Sequence, residues 1–193
     1  MKKFIVLLTA VFCFAACTKA GSEGREAGKT AKREIVVSMG SRIPHEFEPK
    51  KRWGMYNEAH ILHSTLLQKT ADLDIIGDFA KDYTISTDGK IWTFHLYDNF
   101  KFSNGEPVTA EDVKFSYEML KEDGKHWDLS FIKNITIPEK DTIVFELEQP
   151  RSTFVAQLTE VPIVPKAHYD EHYSENPIGS GPYMLQQYDE GEQ

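Results

Sequence analysis

Residues 83–96 read YTISTDGKIWTFHL, two β-prone runs facing each other across Asp88-Gly89. That dipeptide tolerates the positive φ of a tight hairpin turn, so the two runs are expected to pair antiparallel. Side chains alternate along a strand, which puts Trp92, Phe94 and Leu96 on one face. Three such groups on one face need a core to cover them, and this requirement constrains the rest of the chain.

Further elements follow with their own punctuation. Asn104-Gly105 marks a second turn, and Thr109-Ala-Glu-Asp112 has the form of a capping box, its threonine oxygen placed to accept from first-turn N–H groups. The spacing predicts a helix from there to about Lys121, with Val113, Tyr117 and Leu120 at i, i+4 and i+7 as its apolar stripe. Residues 134–137 and 142–147 read as a strand pair across a turn at 138–141. Residues 152–159 and 164–169 read as short helices, the second opened by Pro165, as a first helical turn permits. Upstream, EIVVS at 34–38 reads as a buried strand, and 42–57 as a loop of proline, charge and aromatics. The segment 59–67 reads as helical or mixed, with Ile61, Leu62, Leu66 and Leu67 facing inward. Gly179, Gly181 and two prolines impose an irregular approach to a last expected strand at 183–188. The final DEGEQ neither closes an element nor makes a tail, so the chain reads as truncated.

The amino terminus carries a different signal. MKKFIVLLTAVFCFAAC has two lysines and then an apolar run over 4–16, too short for the roughly 20 residues of a spanning helix. It reads as a secretory leader at 1–16. Ala15 and Ala16 stand directly before Cys17, a pattern resembling the lipobox of bacterial lipoproteins, with Phe14 where leucine is usual. Cys17 is the expected lipidation site, and a plain signal peptide is the alternative. The other cysteine, Cys13, lies inside the leader, so the mature chain has no disulfide to form and depends on its core. Residues 18–32, TKAGSEGREAGKTAK, have no apolar side chain larger than alanine; with Cys17 they make an anchor and flexible tether over 17–32.

Composition sets the class of partner. The chain is 40% hydrophobic, 12% aromatic and 27% charged, an ordinary globular balance that argues against disorder or a coiled coil. Removing Lys2 and Lys3 with the leader takes the formal net charge from −8 to −10. A surface that negative repels phosphate backbones, so no nucleic-acid partner is expected. No catalytic set stands out either: seven histidines are scattered, and there is no phosphate loop or Gly-x-Ser-x-Gly elbow. The tract Arg52-Trp53-Gly54-Met55-Tyr56-Asn57 is the first site candidate, because aromatics beside a glycine offer flat apolar surfaces with polar tips to a small solute. The alternative is a surface loop whose Trp53 covers core. Arg52 could pair bidentately with a ligand carboxylate. His60 and His63 stand three apart, but metal ligation is the weaker reading of them and no metal is expected.

Three blocks, DYTISTDGKIWTFHL at 82–96, FKFSNGEPVTAEDVKF at 100–115 and PIGSGPY at 177–183, resemble in order and spacing the family 5 extracellular solute-binding proteins of peptide, nickel and opine ABC importers. The resemblance runs along nearly all of residues 33–193. It implies a mixed α/β, class II two-lobed periplasmic-binding-protein fold with an extra lobe inserted early. On that pattern 33–67 begin the first lobe, 68–176 form the insert, and 177–193 return to the first lobe. Family members are more than twice this length, so the resemblance implies that the partner lobe is missing and that the cleft could not close normally on its ligand.

The same resemblance places the 52–57 tract along the cleft. It makes Trp127, within His126-Trp127-Asp128-Leu129, a second candidate, since a matching tryptophan stacks over the chelate in nickel-binding members; a core role is the equal alternative. It assigns Ser180 to a structural turn rather than to a nucleophile. One departure stands out: the arginine of chelate-binding members just after the helix matching 153–159 is replaced by Glu160-Val161-Pro162. Nickel held with histidine or peptide nitrogens stays compatible. The function implied is a monomeric, lipid-anchored receptor on the outer face of the cytoplasmic membrane that delivers a peptide or nickel chelate to ABC permease subunits. A surface-anchored enzyme or adhesion lipoprotein on a borrowed fold, or a truncated remnant, is the alternative.

Overall fold

A computed structural model describes residues 47–51 and 61–187. Its elements in chain order are a 3-10 turn (Pro49–Lys51), β1 (Leu67–Lys69), β2 (Ile75–Gly77), β3 (Ala80–Ile85), β4 (Ile91–Leu96), α1 (Ala110–Asp123), β5 (Ile132–Glu139), β6 (Thr142–Leu147), α2 (Phe154–Leu158) and a second 3-10 turn (Lys166–His168). Strands β1 and β2 pair alone; the others form an antiparallel sheet in the order β3-β4-β6-β5.

The Asp-Gly signal is realised as the β3–β4 hairpin. Gly89 takes φ +72° and its N–H donates to the Ser86 carbonyl at 2.8 Å, while Ser86 N donates to Ile91 O at 2.9 Å. The Asp88 carboxyl accepts from the Ser86 hydroxyl and the Lys90 amide, which hold it below the usual carboxylate range. Register pairs Tyr83 with Phe94 and Ile85 with Trp92, so the aromatic face is continuous across the two strands.

On β4 and β6 that face is covered by α1 and α2, while Tyr83 and Ile85 at the β3 edge stay exposed. Val113, Tyr117 and Leu120 are fully buried, and the Tyr117 ring meets Phe145 of β6 edge-on at 4.8 Å. Phe154 of α2 stands edge-on to Trp92 at 5.3 Å. Such offset and edge contacts add to the stabilisation from burial itself. The helix starts where the capping box places it: Thr109 Oγ1 accepts from Asp112 N and the Asp112 carboxylate accepts from Thr109 N at 2.9 Å. It ends at Gly124, whose left-handed φ of 57° lets its N–H reach Leu120 O.

Three expectations are corrected. The described part of 59–67 is not helical: residues 61–66 are irregular and β1 follows. Their backbone groups are spent on distant segments, with Asp78 and Ala80 amides donating to Leu66 O, Phe79 N to Thr65 O and Ile163 N to Ser64 O. No strand forms over 183–187; Tyr183 N donates to Ile61 O, but Tyr183 and Met184 are largely exposed and have no second sheet face to cover. Strand β5 runs on through Pro138 to Glu139, so the turn before β6 is shorter than the expected 138–141. The strand expected at 34–38 lies outside the described residues. Among the described residues no helix is long and apolar enough to cross a membrane.

Candidate functional site

Of the sequence candidates, Cys17, Arg52, Trp53, Met55, Tyr56 and Asn57 lie outside the described residues, as does His60. Trp127 is described, and so is Phe47-Glu48-Pro49-Lys50-Lys51, the segment that leads directly into the 52–57 tract. The structure brings these two together. The Trp127 ring is 3% exposed, and its indole Nε1 donates to the Pro49 carbonyl at 3.4 Å.

The same short segment is gripped from a second side. Phe47 N donates to Ser174 O at 3.1 Å. The Glu48 carboxylate accepts from the Tyr169 hydroxyl at 2.5 Å and from its neighbour Lys50 N at 3.0 Å. The Lys50 ammonium lies over the Tyr169 ring, 5.2 Å from its centre, where the negative face of the ring attracts it. Tyr169 is itself fixed, edge-on to Phe115 of α1 at 5.7 Å and against Tyr173 at 4.8 Å. Burial, and then the Glu48 carboxylate, push the Tyr169 hydroxyl well above the ordinary phenol range, so it stays a donor.

Behind Tyr169 the contacts continue inward. The Tyr173 hydroxyl donates its one proton to Ile178 O at 2.9 Å and therefore accepts from His63 Nε2 at 2.7 Å, which places a proton on that nitrogen. Glu48, Tyr169 and Tyr173 were not singled out by sequence reasoning, and His63 was considered only with His60 as a weak metal pair. Glu48 and Tyr169 are 121 positions apart, and only the i, i+4 spacing of the two tyrosines hints at a shared face.

The Gly179-Ser180-Gly181 turn is packed against residues 62–64. Ser180 Oγ accepts from Ser64 N at 3.0 Å and donates to Ile163 O at 3.1 Å, and Gly181 N donates to Leu62 O at 2.8 Å. Ser180 is buried and its hydroxyl is committed to main-chain groups. In the Glu160-Val161-Pro162 segment, Val161 is fully buried and the Glu160 and Val161 amides both donate to Gln157 O. The described arginine, Arg151, pairs with Asp128 at 3.2 Å and lies over the Phe131 ring at 4.2 Å. Among the described residues no three His, Cys, Asp or Glu side chains converge as a metal set would.

Comparisons with known proteins establish the family and the fold. The model of bacterial extracellular solute-binding proteins, family 5 Middle, matches residues 74–193. A relative from Escherichia coli, named a probable D,D-dipeptide-binding periplasmic protein, is 39% identical over 132 residues, 62% of this chain and 26% of its own length. The nickel-binding periplasmic protein of the same organism is 28% identical over 162 residues, 78% of this chain and 30% of its own. The crystal structure of NikZ from Campylobacter jejuni with Ni(L-His) superposes with a TM-score of 0.71 at 24% identity, over 78% of this chain and 32% of that one, a likeness of fold. The chain thus spans roughly a quarter to a third of the length of the proteins it matches. From β2 onward the match is unbroken and covers more than half of the sequence; with its mixed α/β fold, seen in two-lobed periplasmic binding proteins, this chain belongs to the bacterial extracellular solute-binding proteins of family 5.

Proposed function

We propose that this chain belongs to the substrate-binding lipoprotein of an ABC importer, which captures a peptide or a nickel chelate outside the cytoplasmic membrane and hands it to the permease. The observation that carries the reading is the family match over 74–193, within which relatives bear the names of peptide-binding and nickel-binding periplasmic proteins. Binding without turnover is the corresponding chemistry. In this reading Cys17 is the lipid anchor, 17–32 the tether, and the protein works as a monomer. Residues 33–67 begin the first lobe, 68–176 form the early insert and 177–193 return. The pinning of residues 179–181 against 62–64 supports those boundaries, because it brings the two ends of the insert side by side.

Arg52, Trp53, Met55, Tyr56, Asn57 and Trp127 are the proposed solute-binding residues. The product of the complete reading frame, titrated calorimetrically with D-Ala-D-Ala, a mixed tripeptide pool and Ni(L-His), is expected to bind one class stoichiometrically and release it unchanged. Absence of binding to all three, or appearance of a cleaved product, would overturn the proposal. Cys17→Ala is expected to abolish palmitate labelling and release the protein from the membrane fraction.

A further inference from the structure

We infer that Asn104 is a self-modification site: the main-chain nitrogen of Gly105 converts its carboxamide to aspartate or isoaspartate through a succinimide, at a rate held down by contacts to Glu106 and His168. The pair forms the turn between Lys101 and Pro107, which an isolated bridge joins. Asn104, Gly105, Glu106 and His168 are all exposed. Gly105 takes φ +90°, and the place of a Cβ on it has no neighbour within 4 Å, so no side chain fills the space beside its nitrogen.

The step needs no reagent beyond water. Once a solvent base has taken the Gly105 amide proton, that nitrogen attacks Asn104 Cγ; the new N–C bond forms, the Cγ–Nδ2 bond breaks, and ammonia leaves. Water then opens the cyclic imide at either carbonyl, with no change of oxidation state. Nucleophile and electrophile are neighbours in one chain, so their encounter is intramolecular. The other described asparagines lack such a successor. Asn99 precedes Phe100 and Asn134 precedes Ile135, whose side chains crowd the approach, while Asn176 precedes Pro177, which has no amide proton to lose.

In the folded chain both reacting groups are engaged. Gly105 N donates to Phe102 O at 2.8 Å. Asn104 Oδ1 accepts from Glu106 N at 3.0 Å, and Asn104 Nδ2 donates to Glu106 Oε2 at 3.1 Å. The same Glu106 oxygen accepts from His168 Nε2 at 2.7 Å, which ties the turn to a residue 62 positions away. Asn104 first and His168 second hold the Glu106 carboxyl below the ordinary range, so the acceptor stays ionised. The reaction therefore proceeds through local opening of residues 102–106. Its product places a second carboxylate beside Glu106 where the Nδ2 donor was, and so weakens a loop whose Ser103 N donates to Gly179 O at 2.8 Å.

Peptide mapping by mass spectrometry of the full chain, incubated at one fixed pH folded and in urea, reads the reaction as a gain of one mass unit on the peptide carrying residue 104. Conversion is expected at Asn104 ahead of Asn99, Asn134 and Asn176, and faster in urea than in the fold. His168→Ala and Glu106→Ala, both at exposed positions, should each speed it about threefold in the folded protein, the scale of an exposed charged contact. Asn104→Asp, which already carries the product group, should gain no mass there and should exchange the amides of 102–106 faster than wild type. No conversion at Asn104 in urea, or conversion at Asn99 or Asn134 as fast as at Asn104, overturns the site. Equal rates folded and in urea, or no acceleration in either variant, overturn the restraint by Glu106 and His168. Unchanged exchange in Asn104→Asp overturns the weakening of the loop by the product.

Discussion

Tyr117 sits in the middle of the core with its hydroxyl buried and, among the described residues, without a hydrogen-bond partner. Burial of an unpaired hydroxyl costs about 1–3 kcal/mol, so Tyr117→Phe, which keeps the ring against Phe145, is expected to stabilise the protein. Tyr173→Phe is the contrast: it strips a donor from Ile178 O and an acceptor from His63, and should destabilise. Burial also drives the Tyr117 hydroxyl far above the ordinary phenol range. The sign follows from linkage: an acid held neutral in the fold but free to ionise in the unfolded chain contributes stability below the ordinary tyrosine value, and this is lost as pH rises past it. Above about pH 10, the unfolding free energy of the wild type from urea titrations should fall more steeply than that of Tyr117→Phe, by about 1.4 kcal/mol per pH unit. Equal slopes would show that the hydroxyl ionises as readily in the fold as outside it.

Helix α1 shows how a local signal acquires a second duty. Thr109 and Asp112 bond reciprocally as the capping box requires, and Asp112 Oδ1 also accepts from Lys166 N at 2.9 Å, tying the helix start to the second 3-10 turn. Thr109→Ala removes the cap alone and should cost about 1 kcal/mol. Asp112→Ala removes the cap partner and leaves a Lys166 amide without its acceptor, so it should cost about 2 kcal/mol or more, measured by chemical denaturation. The capping box, the Asp88-Gly89 hairpin and the Asn104-Gly105 turn were legible because each is written within a few consecutive residues. Segment 61–66 was not, since its apolar spacing fits a helix while its carbonyls serve residues 78–80, 163 and 181–183. The Glu48–Tyr169 contact was equally hidden. The tract was recognisable as a candidate from its aromatics, but nothing near Glu48 in sequence announces that Tyr169 will meet it.

At the scale of the molecule, residues 61–64, 163 and 180–183 meet in one knot of bonds to main-chain groups, which joins segments as distant in sequence as Ile61 and Tyr183. Glycine is required at its centre. A Cβ on Gly179 would lie 1.8 Å from the Leu62 carbonyl oxygen, and one on Gly181 would lie 2.7 Å from His63 N. Both obstacles are backbone, so neither can be relieved by turning a side chain. Gly179→Ala should therefore cost about 3 kcal/mol, at the upper end of what overpacking does. Ser180→Ala creates no clash but strips the partner from Ser64 N and the donor from Ile163 O, and should cost about 1–3 kcal/mol. Urea unfolding followed by tryptophan fluorescence measures both. If the knot is structural throughout, Ser180→Ala lowers the midpoint yet leaves solute affinity in the folded protein unchanged, since its hydroxyl faces only main-chain groups. A Ser180→Ala protein of full stability that had lost an activity would reverse that assignment and return Ser180 to the list of reactive groups.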